Sequence, residues 1–365
     1  MRGWRRTSGT ISDVFPSLPP DDGHEPRVAG ATREASGVSG RPAPAVYGQG
    51  VAEPDPGLGS RATGHAMGGR EPSVREDPDP AESDEPVQEV EAVDVRRPLT
   101  LAIAGFAALL AAGLVLGVQS SGPGARAPYA VVIFGVQMLF VLSWTVATRP
   151  AAMWTVAGVA VATAAAADVA MVTVDRSRIT PLLVIAAVGV VAAVIGQIPR
   201  RADRERLRDT LGGTVLIVLG VVAFAMLIAL TRRPAGTQTI TVCLAATGIA
   251  LFVARLTDAF FARPKVAAQV PRGATGIVVG AMLGTLAAAG LGIVMLPFSP
   301  GRGAVLGLVG TTLAGLVDLA VDYAEATRRG LEDAPPMFLA RHMQGPLGAF
   351  ALASPVAYVL ATMLF

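Results

Sequence analysis

From Leu99 onward the chain falls into nine apolar stretches, each close to twenty residues long. They run roughly over 99–118, 129–147, 151–173, 179–198, 211–230, 239–260, 274–296, 303–323 and 346–364. Crossing a hydrocarbon core of ~30 Å takes about 20 helical residues. Lipid offers the backbone no hydrogen bonds, so segments of this kind must satisfy their own polar groups as helices. The pattern therefore predicts an all-α integral membrane protein with about nine transmembrane helices. It excludes a soluble enzyme of two ordinary domains. Pro98, Pro181, Pro297 and Pro355 fall near the expected helix ends, where a missing N–H does least harm. Cys243, the single cysteine, lies in an apolar run, so a disulfide scaffold is excluded as well.

Residues 1–98 are a different material. Up to Arg97 they hold 17 of the 28 acidic residues, 11 of the 30 basic ones and 12 of the 27 prolines, with no sustained helix or strand period. Such a segment buries too little apolar surface to offset the entropy of ordering, which predicts a disordered tail. Between Glu71 and Asp94 ten acids stand against one base, Arg75, a block that repels itself and stays extended. Trp4-Arg5-Arg6 resembles a twin-arginine export signal, but no apolar region follows it. Met67 is a second candidate start. The small net charge of +2 is thus the sum of an acidic tail and a basic remainder.

The bases between the stretches set an expected orientation. On the side of the tail lie Arg96, Arg97, Arg149, five arginines from Arg200 to Arg208, Arg263, Lys265, Arg272, Arg328, Arg329 and Arg341. The opposite side has Arg126, Arg176, Arg178, Arg232, Arg233 and Arg302. An excess of 14 over 6 places the tail in the cytoplasm and Phe365 outside, in a multi-pass protein of the plasma membrane. Membrane-flanking arginines account for the basicity, so nucleic-acid binding has no further support. Gly276, Gly280, Gly284 and Ala288 line one face of the seventh stretch, and Gly303 and Gly307 one face of the eighth. Small-residue stripes let helices approach closely, either within the bundle or across a homodimer or heterodimer seam.

Ionised side chains are costly in lipid, so each acid in a span calls for a reason. Asp168, near the outer end of the third stretch, is within reach of Arg176 or Arg178 and reads as a paired charge. Asp258 closes the sixth stretch. Asp318 and Asp322 close the eighth on the same side and, four residues apart, share a helix face. Three carboxylates at one depth form a candidate site for Mg²⁺, which takes oxygen ligands and bridges to phosphates. The alternative is a set of solvated helix ends. The histidines, His24, His65 and His342, are isolated, and no nucleophile motif or phosphate-cradling loop occurs.

The region 239–365 resembles the phosphatidate cytidylyltransferases (CDP-diacylglycerol synthases). Thr257-Asp258 stands where that family has Ser-Asp, and Val270-Pro271-Arg272-Gly273-Ala274-Thr275-Gly276 resembles its Ser-Pro loop. Val317-Asp318-Leu319-Ala320 is similar to Gly-Asp-Leu-x, and Ser354-Pro355-Val356 to Ala-Pro-Val. The resemblance implies Mg²⁺ on Asp258 and Asp318, with Asp322 added by its place on the same helix face, and phosphate or nucleotide contacts from Arg272, Arg328 and Arg329. Its reaction joins phosphatidate to CTP and releases pyrophosphate. Departures are many. The loop lysine falls at Gly273, the loop glutamate at Gly276, a motif glutamate at Val321 and two later aspartates at Gly345 and Gly348. Groups that act as a unit fail together, so the expectation is a degenerate member whose catalysis is lost or impaired. It would act in phospholipid metabolism or beside an active synthase. The alternatives are a divergent active lipid-phosphate nucleotidyltransferase and a non-enzymatic transporter or structural membrane protein.

Overall fold

The computed structural model describes residues 95–122, 126–150, 152–173, 179–197, 204–329 and 338–365; the side chains of 204–210, 328–329 and 338–339 are not described. The expected tail lies outside the described residues except for 95–98, of which Arg97 and Pro98 belong to the first helix. Among the described residues nine helices follow one another: α1 (Arg97–Ser120), α2 (Arg126–Thr148), α3 (Met153–Thr173), α4 (Thr180–Ile195), α5 (Arg204–Leu230), α6 (Gly236–Phe260), α7 (Ala274–Val294), α8 (Pro300–Arg329) and α9 (Phe338–Leu364). Between α6 and α7 a short antiparallel hairpin intervenes, β1 (Lys265–Ala267) with β2 (Val270–Gly273), pairing Lys265 with Gly273 and Ala267 with Val270.

Eight of the helices are long and apolar enough to cross a membrane; α4, at 16 residues, is shorter. Its neighbours nevertheless show that it returns the chain to the end where α3 began. A Cβ on Gly189 would meet Thr163, midway along α3, and one on Gly196 would meet Thr155, in the first turn of α3. Gln197 then donates to Thr214 near the start of the apolar part of α5 (3.0 Å). The alternation expected from nine stretches is therefore kept. We call the end at which α1 starts the near end. At the far end, Arg126 donates to Val172 O (3.2 Å), Gln119 to Thr241 (2.7 Å) and Arg233 to the Tyr358 hydroxyl (3.0 Å).

Two halves share the core. In one, α6 is the hub, packed by α1, α7 and α8; in the other, α5 packs α2, α3 and α4; α9 lies against both. The glycine stripe of α7 faces α6 within this chain. A Cβ at Gly284 would lie 2.7 Å from Ala246 O, and one at Gly280 would run into Ala250 O. Gly303 and Gly307 in turn face α7 at Ala288 and Thr285. The outward face of α7 is apolar and exposed at Val278, Met282, Leu286 and Ile293, as lipid contact requires. One expectation needs correction: Pro355 lies inside α9, as does Pro346. Pro355 leaves the Ala351 carbonyl without its helical N–H, a break accommodated where α9 packs against α2, α5, α6 and α8.

Candidate functional site

The three carboxylates singled out in the sequence meet at the near end. On α6, Arg255 and Asp258 are three residues apart and share a face; on α8, Asp318 and Asp322 are four apart and share another. From Gly236 to Arg255 the helix rises about 28 Å, one hydrocarbon thickness from the far end. The site thus lies at the near end of the bundle, where α6 and α8 close.

Two guanidinium groups stand among these carboxylates. Arg255 grips Asp318 with two bonds, Nη2 to Oδ1 at 2.6 Å and Nε to Oδ2 at 3.1 Å, and reaches Asp322 Oδ2 at 3.1 Å. Arg272, 1% exposed, enters from β2. Its Nη1 donates to Asp318 Oδ2 at 2.9 Å, and its Nε lies 3.1 Å from Asp258 Oδ2. The Gly273 N–H completes the Asp258 shell, donating to Oδ1 at 2.9 Å. Planar guanidinium forks suit this bidentate bridging, which a lysine point charge would not reproduce.

Glycines make the close approach feasible. A Cβ at Gly276 would run into Asp258 Oδ1, and one at Gly345, on α9, would run into Asp318 Oδ1. The aspartate that the family resemblance would place at 345 therefore has no room beside Asp318. Around this centre Glu325 and Arg341 are buried, and His342 Nδ1 lies 3.8 Å from Glu325 Oε2.

Of the six residues expected at the site, Asp258, Asp318, Asp322 and Arg272 are brought together. Arg272 faces the carboxylates, and its Nη2 is buried with no hydrogen-bond partner among the described residues. Arg328 and Arg329 end α8, with side chains outside the described residues. As arranged, the carboxylates do not fit Mg²⁺: each is within 3.1 Å of a guanidinium nitrogen, and among the described residues no group of three or more metal-ligating side chains could hold a metal. Sequence reasoning missed Arg255. Its signal was available, since it is the one base inside any of the nine apolar stretches.

Comparison of the chain with protein-family models, with curated proteins and with solved structures finds no match.

Proposed function

We propose that the chain is a non-catalytic membrane protein, similar to the phosphatidate cytidylyltransferases, that works in phospholipid metabolism beside an active synthase. The observation that supports this reading is the position of Arg272 and Arg255. One reaches between Asp258 and Asp318, the other between Asp318 and Asp322. Transfer of a nucleotidyl group depends on metal ions and cationic side chains that neutralise charge on the moving phosphorus centre. Carboxylates already neutralised by arginines of their own chain have little attraction left for Mg²⁺. The same arginines, turned inward, are withdrawn from a triphosphate. In this reading the tail, the hairpin and the charged cluster face the cytoplasm, Phe365 lies outside, and the protein resides in the plasma membrane.

A second reading, a divergent active nucleotidyltransferase on a lipid phosphate with CTP and Mg²⁺, draws on one feature. Arg272 rides on a short hairpin rather than on a helix, so its withdrawal would leave Asp258 and Asp318 facing each other.

Purified full-length protein in detergent, given phosphatidate, CTP and Mg²⁺, separates the two. We expect no pyrophosphate release above that of a protein-free control and no shift of the unfolding midpoint with Mg²⁺ or CTP. Turnover that disappears in Asp318→Asn would overturn the proposal in favour of the active enzyme.

A further inference from the structure

A second buried carboxylate lies far from this cluster. Asp168 on α3 was expected to pair with Arg176 or Arg178, which lie outside the described residues; its partner in the structure is Gln137 of α2. Gln137 Nε2 donates to Asp168 Oδ1 at 2.9 Å and to the Val221 carbonyl of α5 at 2.9 Å. Gln137 is midway between Arg126 and Thr148, the ends of α2. Side chains on a helix lean toward its N-terminus. Because α2 and α3 run in opposite directions, Asp168 leans inward from the far end and Gln137 leans to meet it. Both are buried, at 5% and 0% exposure.

The remaining oxygens are what require an account. Among the described residues, Asp168 Oδ2 and Gln137 Oε1 are both buried, both acceptors, and both without a hydrogen-bond partner. Turning the amide over would not help, since the oxygen would then face a carboxylate and a carbonyl. The residues one turn away, Ala164, Ile133 and Val141, are apolar and buried. They give a metal cation no further oxygen shell. Charged and titratable groups on the packed elements are few. On α2 there are Arg126 and Tyr129; the residues Thr180–Ile195 of α4 and Leu211–Leu230 of α5 have none. Arg232, just beyond α5, joins Arg126 in donating to carbonyls of the last turn of α3: Arg126 to Val172 O, Arg232 to Met171 O and Val172 O.

We propose that Asp168 and Gln137 form a proton-binding site within the bundle, a carboxylic acid paired with an amide. A proton taken from water adds to Asp168 Oδ2, converting the carboxylate to the neutral acid, and the new O–H donates to Gln137 Oε1. One proton supplies both unpartnered oxygens, and with it every polar atom of the pair is satisfied. A neutral acid also avoids the cost of an isolated ion away from water. The site is independent of the function proposed for the near end.

Infrared spectroscopy of the full-length protein in detergent tests this. At neutral pH we expect a carboxylic-acid C=O band that is lost in Asp168→Asn. In Gln137→Leu the band should remain but move to higher frequency, because the acid has lost its amide partner. That second variant keeps the test open if Asp168→Asn does not fold. Absence of any carboxylic-acid band sensitive to Gln137→Leu or Asp168→Asn would overturn the proposal. So would an unfolding midpoint that rises with sodium concentration in the wild type and not in Asp168→Asn, since a metal ion would then hold the site.

Discussion

The two halves of the bundle bury carboxylates by different means. In the α6–α8 half three aspartates are held by two arginines and a backbone N–H, at the near end. In the α2–α5 half, among the described residues, one buried aspartate is held by an amide. Taking an ion pair out of water is repaid only when geometry is good and the remaining lone pairs find donors. The near-end cluster meets that condition through the bidentate grip of Arg255 and the bridge of Arg272. Where no cation is at hand among the described residues, a neutral acid is the cheaper state. Depth and available donors, more than residue type, decide how a buried carboxylate is satisfied in lipid.

The contrast can be broken first at Arg272. Arg272→Ala leaves Asp258 and Asp318 without their bridge and should cost about 3–5 kcal/mol, read as a lowered unfolding midpoint in detergent. Replacing Arg272 together with one of its partners, Arg272→Met with Asp258→Leu, should recover part of that loss, because Asp258 is no longer a buried charge and Asp318 keeps Arg255. A silent Arg272→Ala would mean that the cluster is not desolvated and that the two halves do not differ. Next in size is a change of packing without charge. Gly280→Ala should cost about 1–3 kcal/mol by forcing α7 away from Ala250 O, and a shift no larger than that of Arg272→Ala would separate seam from cluster. The smallest effect is expected in the other half. Asp168→Asn keeps a hydrogen-bonded pair with Gln137 and should change stability by less than about 1 kcal/mol at neutral pH. A loss as large as that of Arg272→Ala would show that Asp168 is ionised and charge-paired.

Much of this architecture is legible in the chain. The helix positions follow from the apolar stretches, but at the near end helices run on into polar sequence: α5 begins seven residues before its stretch, α9 eight before, and α8 ends six after. The convergence of Asp258, Asp318 and Asp322 was readable because helix-end acids at one depth have few places to go. The hairpin was not, since its two strands span three and four residues and carry no alternating pattern. Nor was the role of Arg272, which as a loop residue reads as a phosphate contact and in the fold reaches back onto the carboxylates. Arg255 was visible as a lone base in an apolar run, but counting bases between stretches passes over one inside them.

What the sequence by itself determined is the number of the helices and their alternation. Hydrocarbon thickness and backbone hydrogen bonding dictate these locally, stretch by stretch. Tertiary structure alone decided which charges meet: Arg255 with Asp318, Arg272 with Asp258, Asp168 with Gln137. The partners in these pairs come from different elements, and their separation in space depends on helix rotation and on glycines that let α7 and α9 approach. Neither is written in any single segment.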